Sequence, residues 1–398
     1  MGGEKTSISA KKLEKLFYQS NYEKLLKLTI DAAEPKQPNR CDIYLIVGAL
    51  TYLGRVEEAE VLFAPLEKEL NERNLSACRT FLAFAHCRQG NYQRVLDLTF
   101  KNLRIARNYE CPVARFYAYM GAAFYRYYCG RYVVALRLGR KAFKEAVLSN
   151  YMFGKFLSTD IMAHAQIKVG NVSVGLKLFD EAVRYSKILG SPEGDDCVHI
   201  TATCYKAKYG VSSSTDLTDM ERHLKSHSAQ EFYIQSGLLL EMANQLSLRG
   251  RVSESKQILS RACRLVYSSS HRRQGIMLNL RYAYNYYLSG QSDEALNLVR
   301  STKKEFDKHV DRDLELQLTG LELKLQSALG MSDEDDKLLK RVQFLTSYTG
   351  IGIGRRILGR RDAVPALLSG EDTIGDLLDL AQSKKTEALQ AILSSGYL

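Results

Sequence analysis

Histidine and cysteine side chains are the first candidates for chemistry in this chain, because both residue types bind metals and act in catalysis. His223 and His227 stand four residues apart in a predicted helix, a spacing that places two metal-ligating imidazoles on one face. Cys197, His199 and Cys204 share another predicted helix. The histidine pair lacks a nearby third ligand, and Cys-x-His is a poor spacing for metal ligands. The residues therefore favour solvated histidines and packed cysteines, and they predict no metal site.

A glycine- and arginine-rich stretch near the C-terminus is the second candidate. Gly350, Gly352 and Gly354 alternate with other residues and could cradle a phosphate through backbone amides. Two arginine pairs follow, and they could hold an anion or the acidic segment 333–336: Arg355 and Arg356, then Arg360 and Arg361. A dinucleotide site of this kind needs a preceding strand, whereas helical patterns surround this one. A hinge or linker over residues 348–361 is the favoured interpretation.

The chain lacks the sequence patterns of common catalytic sites. It contains no Gly-x-Ser-x-Gly turn, no phosphate-binding loop ending in Gly-Lys-Ser or Gly-Lys-Thr, and no His-Glu-x-x-His helix. Its seven histidines never combine with Asp and with Ser or Cys in a recognisable pattern. We therefore predict that the protein is not an enzyme, and that it has no catalytic residues and no cofactor.

A repeat of fixed length organises the chain that carries these candidate residues. Glycine returns at a 40-residue spacing although only 27 of the 398 residues are glycine. The seven positions are Gly90, Gly130, Gly170, Gly210, Gly250, Gly290 and Gly330. A stretch of helical apolar period precedes each glycine, and another begins two or three residues after it. Because glycine ends a helix at positive φ without a Cβ clash, the pattern predicts a repeat of helix, turn and helix.

Small residues form two further columns in the same register. The column seven residues before the glycine holds Ala83, Ala123, Ala163, Thr203, Ala243 and Ala283. The column five residues after it holds Ala135, Gly175, Thr215, Ser255 and Ala295, with the larger Val95 as an exception. Small side chains let two antiparallel helices approach closely, so these columns predict the helix–helix contact line.

These columns, with the turns Gly90-Asn91-Tyr92 and Gly130-Arg131-Tyr132, resemble the tetratricopeptide repeat. The resemblance implies an all-α fold, a right-handed superhelical α-solenoid of about eight helix hairpins followed by a small C-terminal helical region. The chain departs from the family in its period, 40 residues instead of 34, and in lacking the usual proline at the end of each repeat.

The repeat also predicts the domain organisation. We expect a frayed N-terminus over residues 1–8 and the helical array over residues 9–330. A break at Gly190–Gly194 and the polar segment 211–215 predict an irregular unit near residues 190–228. Past Gly330 the pattern fails, so residues 331–398 are expected to form a C-terminal helical or cap region with its hinge at 348–361.

The predicted partner-binding residues follow from the resemblance, because first helices line the concave surface in the tetratricopeptide family. In the repeat register the matching residues are Phe84, Arg88, Tyr117, Phe124, Tyr127, Tyr128, His164, Lys168, Tyr284 and Tyr287. Aromatic residues bordered by cations suit a protein or peptide with acidic and apolar residues. The alternative is that several of these tyrosines only pack helices together.

The positive charge is concentrated in the fourth unit. The chain has a net charge of +11, and residues 111–158 hold eight basic residues and one acid, Glu145. Arg137, Lys141 and Lys144 follow helical spacing opposite Ala135 and Ala142, so they are expected to face outward as an anion-binding stripe. Such a stripe could contact nucleic acid, although a solvated face is the more common arrangement.

Three functional hypotheses remain, and a non-enzymatic protein–protein interaction scaffold leads them. The alternative is the sensor or regulatory half of a larger transcription regulator or signalling protein, because the chain ends abruptly at Leu398 after a hinge. The coding sequence beyond Leu398 tests this alternative. The third is a nucleic-acid-binding helical repeat. No apolar run reaches 18 residues, and scattered cysteines are typical of reduced thiols, so we expect a cytoplasmic location and no membrane partner.

Overall fold

The computed structural model of the chain describes residues 10–30, 42–108, 110–208, 216–226, 232–268, 272–306, 311–331 and 335–349. Over these residues it contains eighteen α-helices and no strand, which confirms the all-α helical-repeat prediction. The helices are α1 (Ala10–Tyr18), α2 (Tyr22–Thr29), α3 (Ile43–Tyr52), α4 (Val56–Phe63), α5 (Glu72–Gln89), α6 (Tyr92–Asn108), α7 (Pro112–Tyr128), α8 (Tyr132–Leu148), α9 (Met152–Lys168), α10 (Val172–Leu189), α11 (Pro192–Lys208), α12 (Asp216–Ser226), α13 (Phe232–Leu248), α14 (Val252–Ser268), α15 (Arg272–Leu288), α16 (Ser292–Glu305), α17 (Arg312–Ala328) and α18 (Asp335–Thr349). None of the described helices combines the length and the apolar character needed to cross a membrane.

The repeated glycines end helices in the way the sequence predicts. Gly90, Gly130, Gly170, Gly250, Gly290 and Gly330 all have positive φ, and Gly210 lies outside the described residues. At the first of them the Gly90 amide donates to the carbonyl of Cys87, and the Asn91 amide donates to the carbonyl of His86. This hydrogen-bond pair satisfies carbonyl groups that a helix end otherwise leaves without a partner. The 40-residue register is therefore a register of helix–turn–helix units.

Most members of the small-residue columns are buried at the helix contacts, whereas Thr203 is half-buried. In the first column Ala83, Ala123, Ala163, Ala243 and Ala283 are at most 2% exposed, and in the second Ala135, Ser255 and Ala295 are fully buried. Gly175 shows why size matters, because a Cβ there would lie 2.8 Å from the carbonyl oxygen of Ala163. A larger side chain would push the two helices apart.

One boundary differs from the sequence prediction. The predicted break at Gly190–Gly194 is a short turn, because α11 already begins at Pro192. Ser191 ends the turn, and its Oγ accepts a hydrogen bond from the Gly194 amide at 3.1 Å, a helix-capping contact. Helix α4 is short, since it ends at Phe63 and a 3-10 helix with Pro65 follows at Ala64–Leu66.

The chain divides into two compact units. Unit 1 consists of Met1–Tyr125, Ala135–Met162 and Leu178–Val198, and unit 2 consists of Arg126–Val134, Ala163–Lys177 and His199–Leu398. Aromatic rings from α1, α3, α5, α7 and α9 contact one another in unit 1. In unit 2, helix α17 is buried around almost its whole circumference. These two features determine which of the predicted binding residues are accessible.

Candidate partner-binding site

An aromatic patch in unit 1 contains four side chains from three first helices: Tyr52 of α3, Phe84 and Arg88 of α5, and Phe124 of α7. Tyr52, Phe84 and Arg88 are half-buried, whereas Phe124 is only 8% exposed, which corrects its assignment as an accessible groove residue. The Phe84 and Phe124 rings meet edge to face with centroids 4.2 Å apart. The Arg88 guanidinium lies 4.4 Å from the Phe84 centroid and 6.0 Å from the Tyr52 centroid. Phe84 and Phe124 both stand six residues before a turn glycine, so the repeat register brings them side by side. We call these four residues the Phe84 patch.

Tyr117 does not belong to an accessible surface, which corrects its assignment as a groove residue. It is 1% exposed, and its hydroxyl hydrogen-bonds the Tyr151 hydroxyl at 2.6 Å. Burial raises the pKa of Tyr117, so its hydroxyl stays protonated. The Tyr117 ring also contacts Phe81 of α5 with centroids 5.8 Å apart. The alternative interpretation of the tyrosines, helix packing, is correct for Tyr117.

Helix α1 packs against neighbours of Tyr117, at a position that the sequence did not predict. Its Phe17 is 2% exposed and contacts Phe81 of α5 and Phe153 of α9, with ring centroids 5.6 and 5.7 Å apart. The amphipathic spacing of Leu13, Leu16 and Phe17 was the available signal, because it marks one apolar face. That signal did not reveal which helices the face would meet.

In unit 2 the structure brings two predicted residues, Tyr127 and His164, to a third ring that was not predicted. Tyr127 and His164 are 5.6 Å apart between centroids, and the Tyr205 hydroxyl lies 3.2 Å from Tyr127 Oη and 3.0 Å from His164 Nδ1. Burial, and then the nearby charge of Lys168, lowers the pKa of His164 to about 3. The imidazole is therefore neutral at physiological pH.

Lys168 and Tyr128 are buried against other side chains of unit 2, which corrects their assignment as accessible groove residues. Lys168 is 7% exposed, and its Nζ lies 3.3 Å from Oδ2 of Asp313 in α17. Tyr128 is 6% exposed, with the guanidinium of Arg273 5.6 Å from its ring centroid. Arg273 in turn binds Asp311, with Nε 2.9 Å from Oδ2. These side chains therefore hold unit 2 together.

The predicted pair Tyr284 and Tyr287 of α15 contacts α17 as well. The Lys324 Nζ lies 5.6 Å from the Tyr284 centroid and 5.1 Å from the Tyr287 centroid. Lys324 is 3% exposed, and burial lowers its pKa. Tyr284 is 4% exposed and is a packing residue, whereas Tyr287 remains half-buried.

The buried carboxylates of α17 are paired with cations of unit 2. Glu315 accepts hydrogen bonds from Arg312 at 2.6 Å and from Nε of Arg341 at 2.8 Å. Glu322 accepts from Nε of Arg300 at 3.3 Å and also binds Lys303. Charges in a helix normally indicate a solvated face, so sequence reasoning could not identify α17 as a buried helix.

The basic stripe of α8 is exposed at Arg137, Lys141 and Lys144, as its register predicts. The acid of this helix, Glu145, is engaged by Arg115, whose Nη2 lies 3.0 Å from Oε2. The Lys141 ammonium lies 5.6 Å from the Tyr119 ring centroid. An exposed cationic face with its one acid already paired attracts anions.

The remaining candidates of the sequence lie mostly outside the described residues. These are His227, the glycines of residues 350–354, and the cations Arg355, Arg356, Arg360 and Arg361. Among the residues that the structure describes, no group of three or more His, Cys, Asp or Glu could hold a metal ion. Cys204 is a packing residue, and burial raises the pKa of its thiol.

The chain was also compared with known proteins. It matches no family model and no curated sequence, so the likeness to the tetratricopeptide repeat rests on the residues and on the helix–turn–helix units alone.

Proposed function

We propose that the protein is a non-enzymatic interaction scaffold that binds a protein or peptide with acidic and apolar residues at the Phe84 patch. The observation that carries this proposal is the half-buried Arg88 guanidinium stacked on Phe84 beside Tyr52. Aromatic residues and arginine are enriched among the residues that dominate the binding energy at protein interfaces. The patch supplies an apolar floor with a guanidinium stacked against it, a surface that suits a partner with apolar and acidic side chains.

A peptide array tests this proposal. Acidic peptides that contain aromatic or aliphatic residues are expected to bind the wild-type chain and to lose at least tenfold in affinity with the double variant Phe84→Ala and Arg88→Ala. Val61→Ala is the matched control, because Val61 is 76% exposed and lies outside the patch, on α4, the second helix of its pair. Unchanged binding by the double variant would show that the surface is assigned wrongly.

The exposed stripe of α8 favours nucleic acid as a second candidate partner. Arg137, Lys141 and Lys144 point to solvent at helical spacing, which suits contact with successive phosphates. Binding of this kind releases counterions, so the affinity for an oligonucleotide is expected to fall steeply with salt and to weaken with the triple alanine variant. Binding that is absent or insensitive to salt removes this candidate.

A further inference from the structure

Helix α1 lies across the first helices of unit 1 instead of only extending their stack. Its Phe17 ring contacts α3, α5 and α9 through Tyr52, Phe81 and Phe153, at centroid distances of 6.1, 5.6 and 5.7 Å. Its Tyr18 ring is 5.3 Å from Phe153. A hairpin at the end of a stack contacts only the next hairpin, because each repeat touches its neighbours alone. Contact with α9, the first helix of the fifth pair, places α1 against the side that the first helices of unit 1 share. We call this side the inner face.

The inner face is shaped for an aromatic side chain at this point. A Cβ at Gly48 of α3 would lie 2.7 Å from Cε2 of Phe17, so only glycine leaves room for the ring. Glycine within a helix is unfavourable by itself, and here it makes the slot for Phe17. A polar contact completes the slot, since the Tyr44 hydroxyl donates to Oε1 of Glu14 at 3.0 Å and Arg73 lies 3.8 Å from the same oxygen.

The helix that fills this surface is short. Helix α1 has nine residues, and isolated helices of this length are barely stable in water. Three of its apolar side chains are buried: Leu13, Leu16 and Phe17. Because α1 is attached to the chain, its effective concentration at the slot is about 1 mM. A competing helix must therefore bind the slot more tightly than α1 does, or be present at a higher concentration.

The slot continues into the Phe84 patch. The Tyr52 ring contacts Phe17 at 6.1 Å and Phe84 at 6.4 Å between centroids, so it borders both surfaces. A partner helix that covers both would gain contacts with Phe84 and Arg88 that are additional to those of α1. These contacts supply the advantage that a competitor needs over the tethered α1.

We propose that the Gly48–Phe81–Phe153 surface is a helix-binding slot, and that a partner helix with the pattern of α1 binds there by displacing α1. The pattern is an apolar residue, an acid, and then an apolar residue followed by two aromatics, as in Leu13, Glu14, Leu16, Phe17 and Tyr18. This inference rests on the proposed scaffold function and names the partner as an amphipathic helix.

A labelled peptide with the sequence of residues 10–21 is the probe, measured by fluorescence anisotropy against the full chain. The Phe17→Ala chain is expected to bind this peptide at least about tenfold more tightly than wild type, because its own α1 no longer fills the slot. Adding Gly48→Leu to Phe17→Ala is expected to abolish the gain, since the leucine fills the slot. A peptide with alanine in place of its phenylalanine serves as the matched control and should not bind.

A second variant keeps the test decisive if Phe17→Ala unfolds the chain. Glu14→Lys places a cation near Arg73 without making a cavity, and it is also expected to raise peptide affinity. A folded variant of either kind that binds the peptide no better than wild type overturns the slot. A wild-type dimer that exchanges α1, detected by sedimentation, overturns the assignment to a partner helix. Either result leaves the array result for Phe84 and Arg88 unaffected, so failure of the slot and failure of the scaffold are distinguishable.

Discussion

Lys168 and Asp313 form a buried ion pair within unit 2, with Nζ 3.3 Å from Oδ2. The two side chains are 8% and 5% exposed, and the residues are 145 positions apart in the sequence. Arg273 lies 3.7 Å from the same carboxylate oxygen. The Asp313 carboxylate therefore lies close to two cations, Lys168 at the end of α9 and Arg273 in α15, and Arg273 also binds Asp311.

Removing this carboxylate tests how strongly unit 2 depends on it. Asp313→Ala removes the carboxylate that pairs with Lys168, whereas Arg273 keeps its contact with Asp311, so we expect a loss of about 3 kcal/mol in the free energy of unfolding. Denaturant unfolding measures the loss. Asp293→Ala in α16 is the control, because Asp293 is exposed, and its effect should stay within about 0.5 kcal/mol. Equal effects of the two substitutions would contradict a structural role for the pair.

The turn glycines differ in what surrounds them, and this difference is measurable. Gly130 and Gly250 both have φ of +74°, so alanine strains the backbone equally at the two positions. A Cβ at Gly130 would lie 3.0 Å from Cγ2 of Thr349 and 3.4 Å from the Asp313 amide nitrogen, whereas around Gly250 the described part of the chain offers no atom within 4 Å. We expect Gly130→Ala to lower the free energy of unfolding by about 1 kcal/mol more than Gly250→Ala.

The buried hydroxyl pair of Tyr117 and Tyr151 should contribute to the stability of unit 1. Tyr117→Phe removes one hydroxyl and leaves the Tyr151 hydroxyl without that partner, so we expect a loss of about 1 kcal/mol in the free energy of unfolding. Tyr267→Phe is the matched control, since Tyr267 is 72% exposed and should show no change. Thermal unfolding of both variants measures the loss. A Tyr117→Phe chain as stable as the wild-type chain would contradict a stabilising role for the hydrogen bond.

Glu60 should make the stability of unit 1 depend on pH in the acid range. Burial tends to raise its pKa, but hydrogen bonds from His86 and Arg94 outweigh burial and lower the pKa from 4.5 to about 2. Because the folded chain holds this carboxylate ionised, the stabilisation is complete above pH 4.5 and is lost as the pH falls towards 2. We expect an effect on the order of 1 kcal/mol, reduced by solvent screening.

A substitution isolates this contribution to the pH dependence. Glu60→Gln should flatten the decline of the free energy of unfolding between pH 4.5 and 2, the interval spanned by the two pKa values. Glu57→Gln, at an exposed position on the same helix, should leave the decline as it is in the wild-type chain. An identical acid profile for the Glu60→Gln chain and the wild-type chain would exclude the contribution of Glu60.

The helical register was predictable because it depends on local rules. Glycine tolerates positive φ, which set the turns at Gly90, Gly130 and the later repeats, and the helical apolar period set the lengths of α6, α8 and α10. Local rules also have limits. Gly190 and Pro192 together predicted a longer break, whereas a proline at the first position of a helix starts α11 without one.

The sequence by itself determined that the chain is a repeat of paired helices and which side of each helix is apolar, because both follow from neighbours along the chain. Only the tertiary structure decided which of those apolar sides remain accessible. Phe17 covers part of the inner face of unit 1, and α17 covers Lys168 and Tyr284 in unit 2. Both arrangements join residues far apart in the sequence, and periodicity carries no information about which distant segment fills an apolar surface.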